Sequence, residues 1–453
     1  MNSLSSSTRL TTRSIWVYGS LALPLSLLGY PLGIWLPRAY DTYVGVETAL
    51  VGFVIFVAFV FDAISDPLMG YASDHFRTRW GRRKPWISVG VPFLAVAAYY
   101  LFNPTPGMGV LYLAFWYVFL RLGTTLILVP YSAWGAEISG EYHTRTTIQT
   151  AREVFSLLGL ITASLIPMFV ELIHGDDTTA LMVINAYTWF ILIALPIIAL
   201  LVIGRVSEAP PSSREGDVSF LRSLSLMYQN KLFLRLIIIE LLITGGESFR
   251  NALSLYFMQD YIGAPRAGTL YVVYFSMGLG AIPLWTWIAQ HLGKHRSLAG
   301  AIILVSIVSL IIFTLDYGQV WPFYVLFAIK GFCFGAFAYL PRAMMADVID
   351  IDTLKSGDAR AGSYFSVLGF MTKLAYSVGG FSLVALALVG YDTSIGSTHG
   401  ATERLWLGVL YAIVPTLSFS LALYLCWTWP LNARRHARLQ TLLERRNARR
   451  AAV

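Results

Sequence analysis

The sequence predicts an all-α membrane protein of twelve transmembrane helices in two halves of six, and three observations carry that prediction. Of 453 residues, 56% are hydrophobic and 13% charged, with mean hydropathy +0.63. A soluble domain carries about 25% charged residues, because its surface must face water. The same numbers exclude disorder, which needs a charge-rich and apolar-poor chain. Second, apolar stretches of about 20 residues, the length that crosses a bilayer, recur along the whole chain. Third, Lys and Arg concentrate in every second segment between these stretches.

The stretches lie at 14–37, 45–72, 86–104, 109–137, 154–172 and 181–204, then at 233–259, 267–290, 297–316, 321–345, 362–390 and 405–429. Each is read as a helix, because hydrocarbon leaves the backbone of an isolated strand or loop unsatisfied. Segments of about ten alternating residues, the mark of a membrane barrel, do not occur. The first stretch follows Arg9 and Arg13, is long for a leader and lacks a small-residue cleavage site, so it reads as a retained helix. The domain reading is therefore a cytoplasmic N-terminus (1–13), a six-helix bundle (14–204), a central cytoplasmic loop (205–232), a second bundle (233–429) and an Arg-rich cytoplasmic tail (430–453).

With both termini inside, the inner segments hold 25 Lys and Arg while the outer loops hold 3, namely Arg38, Arg266 and Arg404. That asymmetry is the positive-inside pattern, and it accounts for the formal net charge of +8 without a nucleic-acid partner. The tail arginines (Arg434, Arg435, Arg438, Arg445, Arg446, Arg449, Arg450) read first as a topology signal, with anionic lipid headgroups as the alternative partner. Cys333 and Cys426 both sit in apolar stretches as small buried hydrophobes, which excludes a disulfide scaffold.

The halves echo each other. Span two runs into DPLMGYASDHFRTRWGRRKP (66–85) and span eight into IPLWTWIAQHLGKHRSLAG (282–300); span four ends VPYSAWGAEI (129–138) and span ten LPRAMMADVI (340–349). Paired six-helix halves are the layout of many secondary transporters.

Charges at bilayer depth are costly and mark function by default. Asp62 and Asp66 stand four apart on one helical face. Two such carboxylates repel, and one stays protonated unless a cation joins them. Carboxylate and hydroxyl oxygens suit a hard ion, and Ser65 with a threonine from another helix would complete the set. The plainer reading pairs the aspartates with Arg121 or Lys373, two further lone charges within spans. Glu247 and Arg250, three apart, are expected to neutralise each other. Lys330, Arg342, Glu137 and Glu240 are expected to snorkel from near the inner span ends. All seven histidines fall in loops or at span ends, which argues against a histidine proton relay in mid-membrane. No nucleophile–base pair or metal-ligand cluster supports a membrane enzyme, and a transport-incompetent sensor would have lost the carboxylate pair.

At these residues the chain resembles a known family. DAISDPLMGYASDHFRTRWGRRKPWI (62–87), ADVIDIDTLKSGDARAGSYFSVLGFMTKLA (346–375) and VPYSAWGAEIS (129–139) are similar to the signatures of the glycoside–pentoside–hexuronide:cation symporters of the major facilitator superfamily, a likeness that spans roughly 14–430. The resemblance implies the major facilitator fold and alternating access. It implies a site for Na+ or H+ at Asp62, Ser65, Asp66 and Thr125, with Lys373 interacting with its carboxylates. It implies that Arg152 reaches the substrate cavity, and that Gly70, Asp74, Gly81, Arg82 and Arg83 form the inner-loop gating motif. It implies no cofactor beyond the coupling ion, a small-molecule substrate, a monomer, and a bacterial inner membrane.

The departures bear on substrate. Sugar-transporting relatives carry an aspartate in helix one, where this chain reads YGSLALPLSLLGYPLG (18–33), and another in helix four, where it has Leu128. Sugars need charge-assisted hydrogen bonds to replace water. Losing both acids undercuts a galactoside-like substrate. The resemblance still implies a small glycoside or related polar metabolite, with a lysophospholipid-like amphiphile as the alternative. Aromatics such as Tyr18, Trp35, Tyr117, Tyr131 and Tyr364 would serve either a sugar face or an acyl chain, beside their packing role.

Overall fold

The computed structural model describes residues 11–76, 78–138, 142–208, 229–356, 361–391, 393 and 400–430. Arg9, the loop prolines Pro210 and Pro211, and the tail arginines lie outside the described residues. The described chain is helical: α1 (Thr12–Val44), α2 (Thr48–His75), α3 (Lys84–Phe102), α4 (Val110–Glu137), α5 (Tyr142–His174), α6 (Ala180–Arg205), α7 (Lys231–Ala252), α8 (Ala267–Leu292), α9 (Lys294–Phe313), α10 (Val320–Ser356), α11 (Ala361–Leu388) and α12 (Ala401–Trp427). Side-chain oxygens cap several starts. Thr11 accepts from the Ser14 amide, Thr179 from Met182, and Asn230 from Leu232 and Phe233, each filling an orphan donor of the first turn. Prolines such as Pro67, Pro92, Pro130, Pro167, Pro196, Pro283 and Pro341 stand inside helices, which packed membrane helices tolerate.

Among the described residues, 11 helices are long and apolar enough to cross a membrane. The helix outside that set is α7, whose 22 residues include Lys231, Arg235, Glu240, Glu247 and Arg250. Its charge, not its length, sets it apart.

The backbone repeats. Among the described residues, glycines with positive φ occur at Gly45 (82°), Gly81 (117°), Gly107 (83°) and Gly175 (61°), then at Gly263 (76°), Gly293 (91°), Gly318 (87°) and Gly390 (75°). The second four follow α7, α8, α9 and α11 just as the first four follow α1, α2, α3 and α5. The likeness extends to hydrogen bonds around the first pair. α1 ends in a π turn whose Tyr40 carbonyl accepts from the Val46 amide at 3.1 Å, across Gly45. The π turn Phe257–Ile262 after α7 ends the same way, Met258 O accepting from Ala264 N at 2.7 Å across Gly263. Then Gly107 N donates to Val44 O at 3.3 Å, and Gly318 N to Ile262 O at 2.9 Å. A left-handed φ at such a helix end favours glycine, since a Cβ there meets the backbone.

The chain divides into two compact units, Met1–Val46 with Phe61–Arg214, and Glu47–Val60 with Glu215–Val453. In the first, α1 packs on α5 and α3 on both α4 and α6. A Cβ on Gly19 would meet Ala151, and one on Gly123 would meet the Leu94 backbone at 2.8 Å. Small residues let membrane helices approach closely where no hydrophobic force drives them together. In the second unit, α8 packs on α10 through Gly278, Gly331 and Gly335, and α7 packs on α11 and α12. The outer segment of α2 belongs to this unit. There Gly52 faces Gly380 of α11 so closely that a Cβ on either would strike the other's carbonyl oxygen, and Phe56 lies 4.6 Å from Phe381.

Gly52→Val therefore has no space to enter. It is expected to cost about 1–3 kcal/mol, as overpacking does, and to lower the Tm of the detergent-solubilised chain. An unchanged Tm would contradict this packing.

Candidate functional site

Three groups of polar side chains occupy the first unit. The deepest joins α2 to α4. Asp62, Ser65 and Asp66 share one face of α2, and Thr125 of α4 meets them. Thr125 Oγ1 lies 2.9 Å from Asp62 Oδ1 and 3.1 Å from Asp66 Oδ1. Ser65 Oγ donates to the Asp62 carbonyl at 3.2 Å and stands 3.5 Å from Thr125 Oγ1. Asp62 and Thr125 are 2% and 1% exposed. Arg121, one turn before Thr125, places Nη1 3.9 Å from Asp62 Oδ2, so Asp62 has a cationic partner on α4. A hydroxyl carries one proton. Thr125 therefore donates to one carboxylate at a time. The donor set is all oxygen, which fits Na+ or a proton better than a transition metal. Among the described residues, no group of three or more His, Cys, Asp or Glu side chains could hold a metal.

The second group lies where α2 gives way to α3. Arg83 is 3% exposed. Its Nη1 donates to Ser73 Oγ at 2.6 Å, its Nη2 pairs with Asp74 Oδ1 at 2.6 Å and with Glu137 Oε1, and its Nε reaches Glu137 Oε2 at 3.3 Å. Arg82 Nη2 joins Glu137 Oε1 at 2.5 Å. Burial works against the Arg83 charge, but the bonds to Glu137 and Asp74 outweigh it and raise its pKa. Glu137, expected to snorkel, instead receives both arginines.

A further carboxylate completes this group. Glu208, three residues beyond α6, accepts the backbone amides of Arg82 (2.6 Å), Arg83 (2.9 Å) and Lys84 (2.7 Å). These are the orphan donors at the start of α3, where the helix dipole also favours an anion. Gly81 is fixed twice over, by its φ of 117° and by Glu208, whose Oε2 would lie 2.5 Å from a Cβ. Gly70 is different: the nearest atom to a Cβ there is Val129 Cγ1 at 3.9 Å, so sterics do not demand glycine. Sequence reasoning missed Glu208 and Ser73. Glu208 lies more than 120 residues from its partners, and spacing gives no signal for it.

The third group joins α1, α4 and α5. The Tyr18 and Tyr131 rings stack at 4.6 Å. Tyr131 Oη donates to Tyr18 O at 3.0 Å, and Tyr18 Oη donates to Tyr131 O. Both hydroxyls are thus spent on backbone, and both residues are buried. Arg152 of α5 lies 4.9 Å over the Tyr131 ring and donates to Ser132 Oγ at 3.1 Å. Leu128 is half-buried on α4. Lys373 is half-buried on α11 and belongs to the second unit.

The second unit carries an ion pair at the matching hairpin. Lys294, at the start of α9, pairs with Asp347 of α10 at 2.5 Å, as Arg82 and Arg83 at the start of α3 pair with Glu137 of α4. Lys330, expected to snorkel, is 3% exposed well inside α10 and bonds to Tyr411 of α12. Lys330 stands near the middle of the apolar stretch 321–345, and α10 runs on to Ser356, so its side chain reaches neither end.

Gly81→Ala and Glu208→Ala are each expected to destabilise the chain. The double variant should lose less than the sum, with a coupling energy on the order of 1 kcal/mol. Strict additivity in thermal or denaturant unfolding would deny that Gly81 is kept for Glu208.

The family model for MFS/sugar transport proteins matches residues 17–433. Among curated proteins, the inner membrane symporter YicJ of Escherichia coli is 25% identical over 84% of this chain and 84% of its own length. The sodium-dependent lysophosphatidylcholine symporter 1 of Xenopus tropicalis is 27% identical over 90% and 85%. The isoprimeverose transporter of Lactiplantibacillus pentosus is 23% identical over 84% and 81%. Among solved structures, the nucleoside transporter NupG superposes with a TM-score of 0.65 at 13% identity, covering 93% of this chain and 99% of its own. The D-xylose–proton symporter gives 0.64 at 12%, covering 92% and 97%. These likenesses give the major facilitator fold and a multi-pass membrane transporter rather than an enzyme. The chain belongs to the MFS/sugar transport protein family, among the glycoside–pentoside–hexuronide:cation symporters that its motifs resemble.

Proposed function

We propose that this protein is a cation-coupled symporter of the cell membrane, with both termini cytoplasmic, in which Asp62, Asp66, Thr125 and Ser65 hold the coupling ion. The single observation behind this reading is the Thr125 hydroxyl set within hydrogen-bond distance of two carboxylates at once. Na+ or H+ suits this all-oxygen set of two carboxylates and two hydroxyls. Arg121 tempers the charge of Asp62. Binding the ion lowers the repulsion between the aspartates and biases a two-state rocking equilibrium. Reciprocity then requires substrate to tighten ion binding by the same factor as the ion tightens substrate. The group around Asp74, Arg82, Arg83, Glu137 and Glu208 is the inner latch of that equilibrium.

The substrate in this reading is a small glycoside or related polar metabolite, in line with the sugar-named relatives. One observation favours a second substrate. Tyr18 and Tyr131 donate their hydroxyl protons to each other's backbone, and Leu128 precedes Tyr131 by one turn of α4, so these residues offer a sugar few hydrogen bonds beyond Arg152. An amphiphile with an anionic head would need only the guanidinium and an apolar face, and the lysophosphatidylcholine symporters are relatives of this chain.

In proteoliposomes, Asp66→Asn is expected to abolish cation-stimulated uptake while leaving the Tm within a few degrees. Unchanged sodium and pH dependence would remove the ion site from these residues. Thermal-shift titration with glycosides and with lysophosphatidylcholine, each with and without sodium, chooses the substrate. Arg152→Ala is expected to lose the shift of whichever class binds.

A further inference from the structure

The charges of α7 do not simply cancel. Arg250 is 1% exposed. Its guanidinium binds Glu247 one turn earlier, donates to Ser309 Oγ of α9 at 3.2 Å, and lies 5.6 Å over the Phe419 ring of α12. Lys330 of α10 donates from Nζ to Tyr411 Oη of α12 at 2.8 Å and stands 5.1 Å from the Phe327 ring. Among the described residues, no carboxylate lies within ion-pair distance of its Nζ. Glu247 gives Oε1 to Arg250, while Oε2 is buried without a hydrogen-bond donor. The other titratable groups facing the cluster are Tyr271 and Tyr274 of α8 and Cys333 of α10. Two cations thus share one carboxylate, inside the second unit and at span depth.

An unanswered buried charge costs several kcal/mol even after relaxation. Arginine does not release its proton, and Glu247 is committed to Arg250. Lys330 is the member whose proton can leave and carry the excess charge with it. We propose that Glu247, Arg250, Lys330 and Tyr411 form a proton-exchange centre distinct from Asp62 and Asp66. In the exchange one N–H bond of Lys330 breaks, the electron pair stays on Nζ, and the proton leaves to water as hydronium. The net charge of the cluster falls from one to zero. The Tyr411 hydroxyl, an acceptor while the lysine is charged, turns to donate into the Nζ lone pair. Glu247, the cluster's most exposed charged side chain (12%), is the relay toward water.

This centre deepens the symport reading by adding a second proton-bearing site, and its test does not run through transport, so the two fail separately. Unfolding of the full-length chain is followed in mixed micelles between pH 7 and 9. An unfolded lysine is protonated below about pH 10.4. If folded Lys330 sheds its proton, unfolding takes one up and stability rises with pH. The folded-to-unfolded ratio of wild type, relative to Lys330→Met, is then expected to grow about tenfold per pH unit. A ratio that does not change with pH overturns the proposal. Should Lys330→Met fail to fold, 13Cε-lysine NMR of the Lys373→Arg chain decides. A lysine resonance titrating below pH 9 is expected, and its absence overturns the proposal.

Discussion

A charge set in hydrocarbon must be answered by another charge or by a hydrogen bond, and in this chain the answers come mostly from neighbouring helices. Asp62 on α2 is met by Thr125 and Arg121 of α4. Arg250 on α7 is met by Ser309 of α9 as well as by Glu247, and Lys330 on α10 by Tyr411 of α12. Apolar packing alone tolerates rotation of a membrane helix, since lipid is as apolar as leucine. A buried ion pair does not, because a modest turn would strand one partner. The same side chains that lend the chain its chemistry therefore fix the rotation of the helices that carry them.

The hairpin between α2 and α3 answers its charges differently. Here the partners are helix ends as well as side chains. Glu208 satisfies three amides at the start of α3, and Arg83 binds Ser73, Asp74 and Glu137. The hairpin between α2 and α3 and the exit from α6 are held as one piece. A movement that opens the Arg83 network need not disturb Glu208, because the two share backbone neighbours but no atoms. The network has two separable layers, one of side chains and one of amides.

Much of this was legible in the sequence because it was local. Twelve apolar stretches, the i, i+4 aspartates and the basic inner loops all lie within a few turns of chain. Thr125 came from family likeness, and its hydroxyl does stand between the two carboxylates. What escaped reading was long-range or concerned helix length. Glu208 and its three amides are joined only by folding, and the Tyr18–Tyr131 exchange spends hydroxyls that composition counts as available. Lys330 was misplaced because it stands near the middle of the stretch 321–345, while the helix itself runs on to Ser356. Hydropathy marks where hydrocarbon covers a helix, and the helix continues through the headgroups.

α7 adds a consequence for how the chain enters the membrane. A charged residue at the centre of an inserting helix costs about 2.5–3.5 kcal/mol, and α7 carries Glu240, Glu247 and Arg250. Arg250 and Glu247 travel together, which softens the cost. Their remaining neighbours, Ser309, Lys330, Tyr411 and Phe419, are translated later. When the ribosome releases α7, the surroundings that make its charges acceptable do not yet exist. Its residence in the bilayer is thus settled retroactively, by helices that emerge from the ribosome after it.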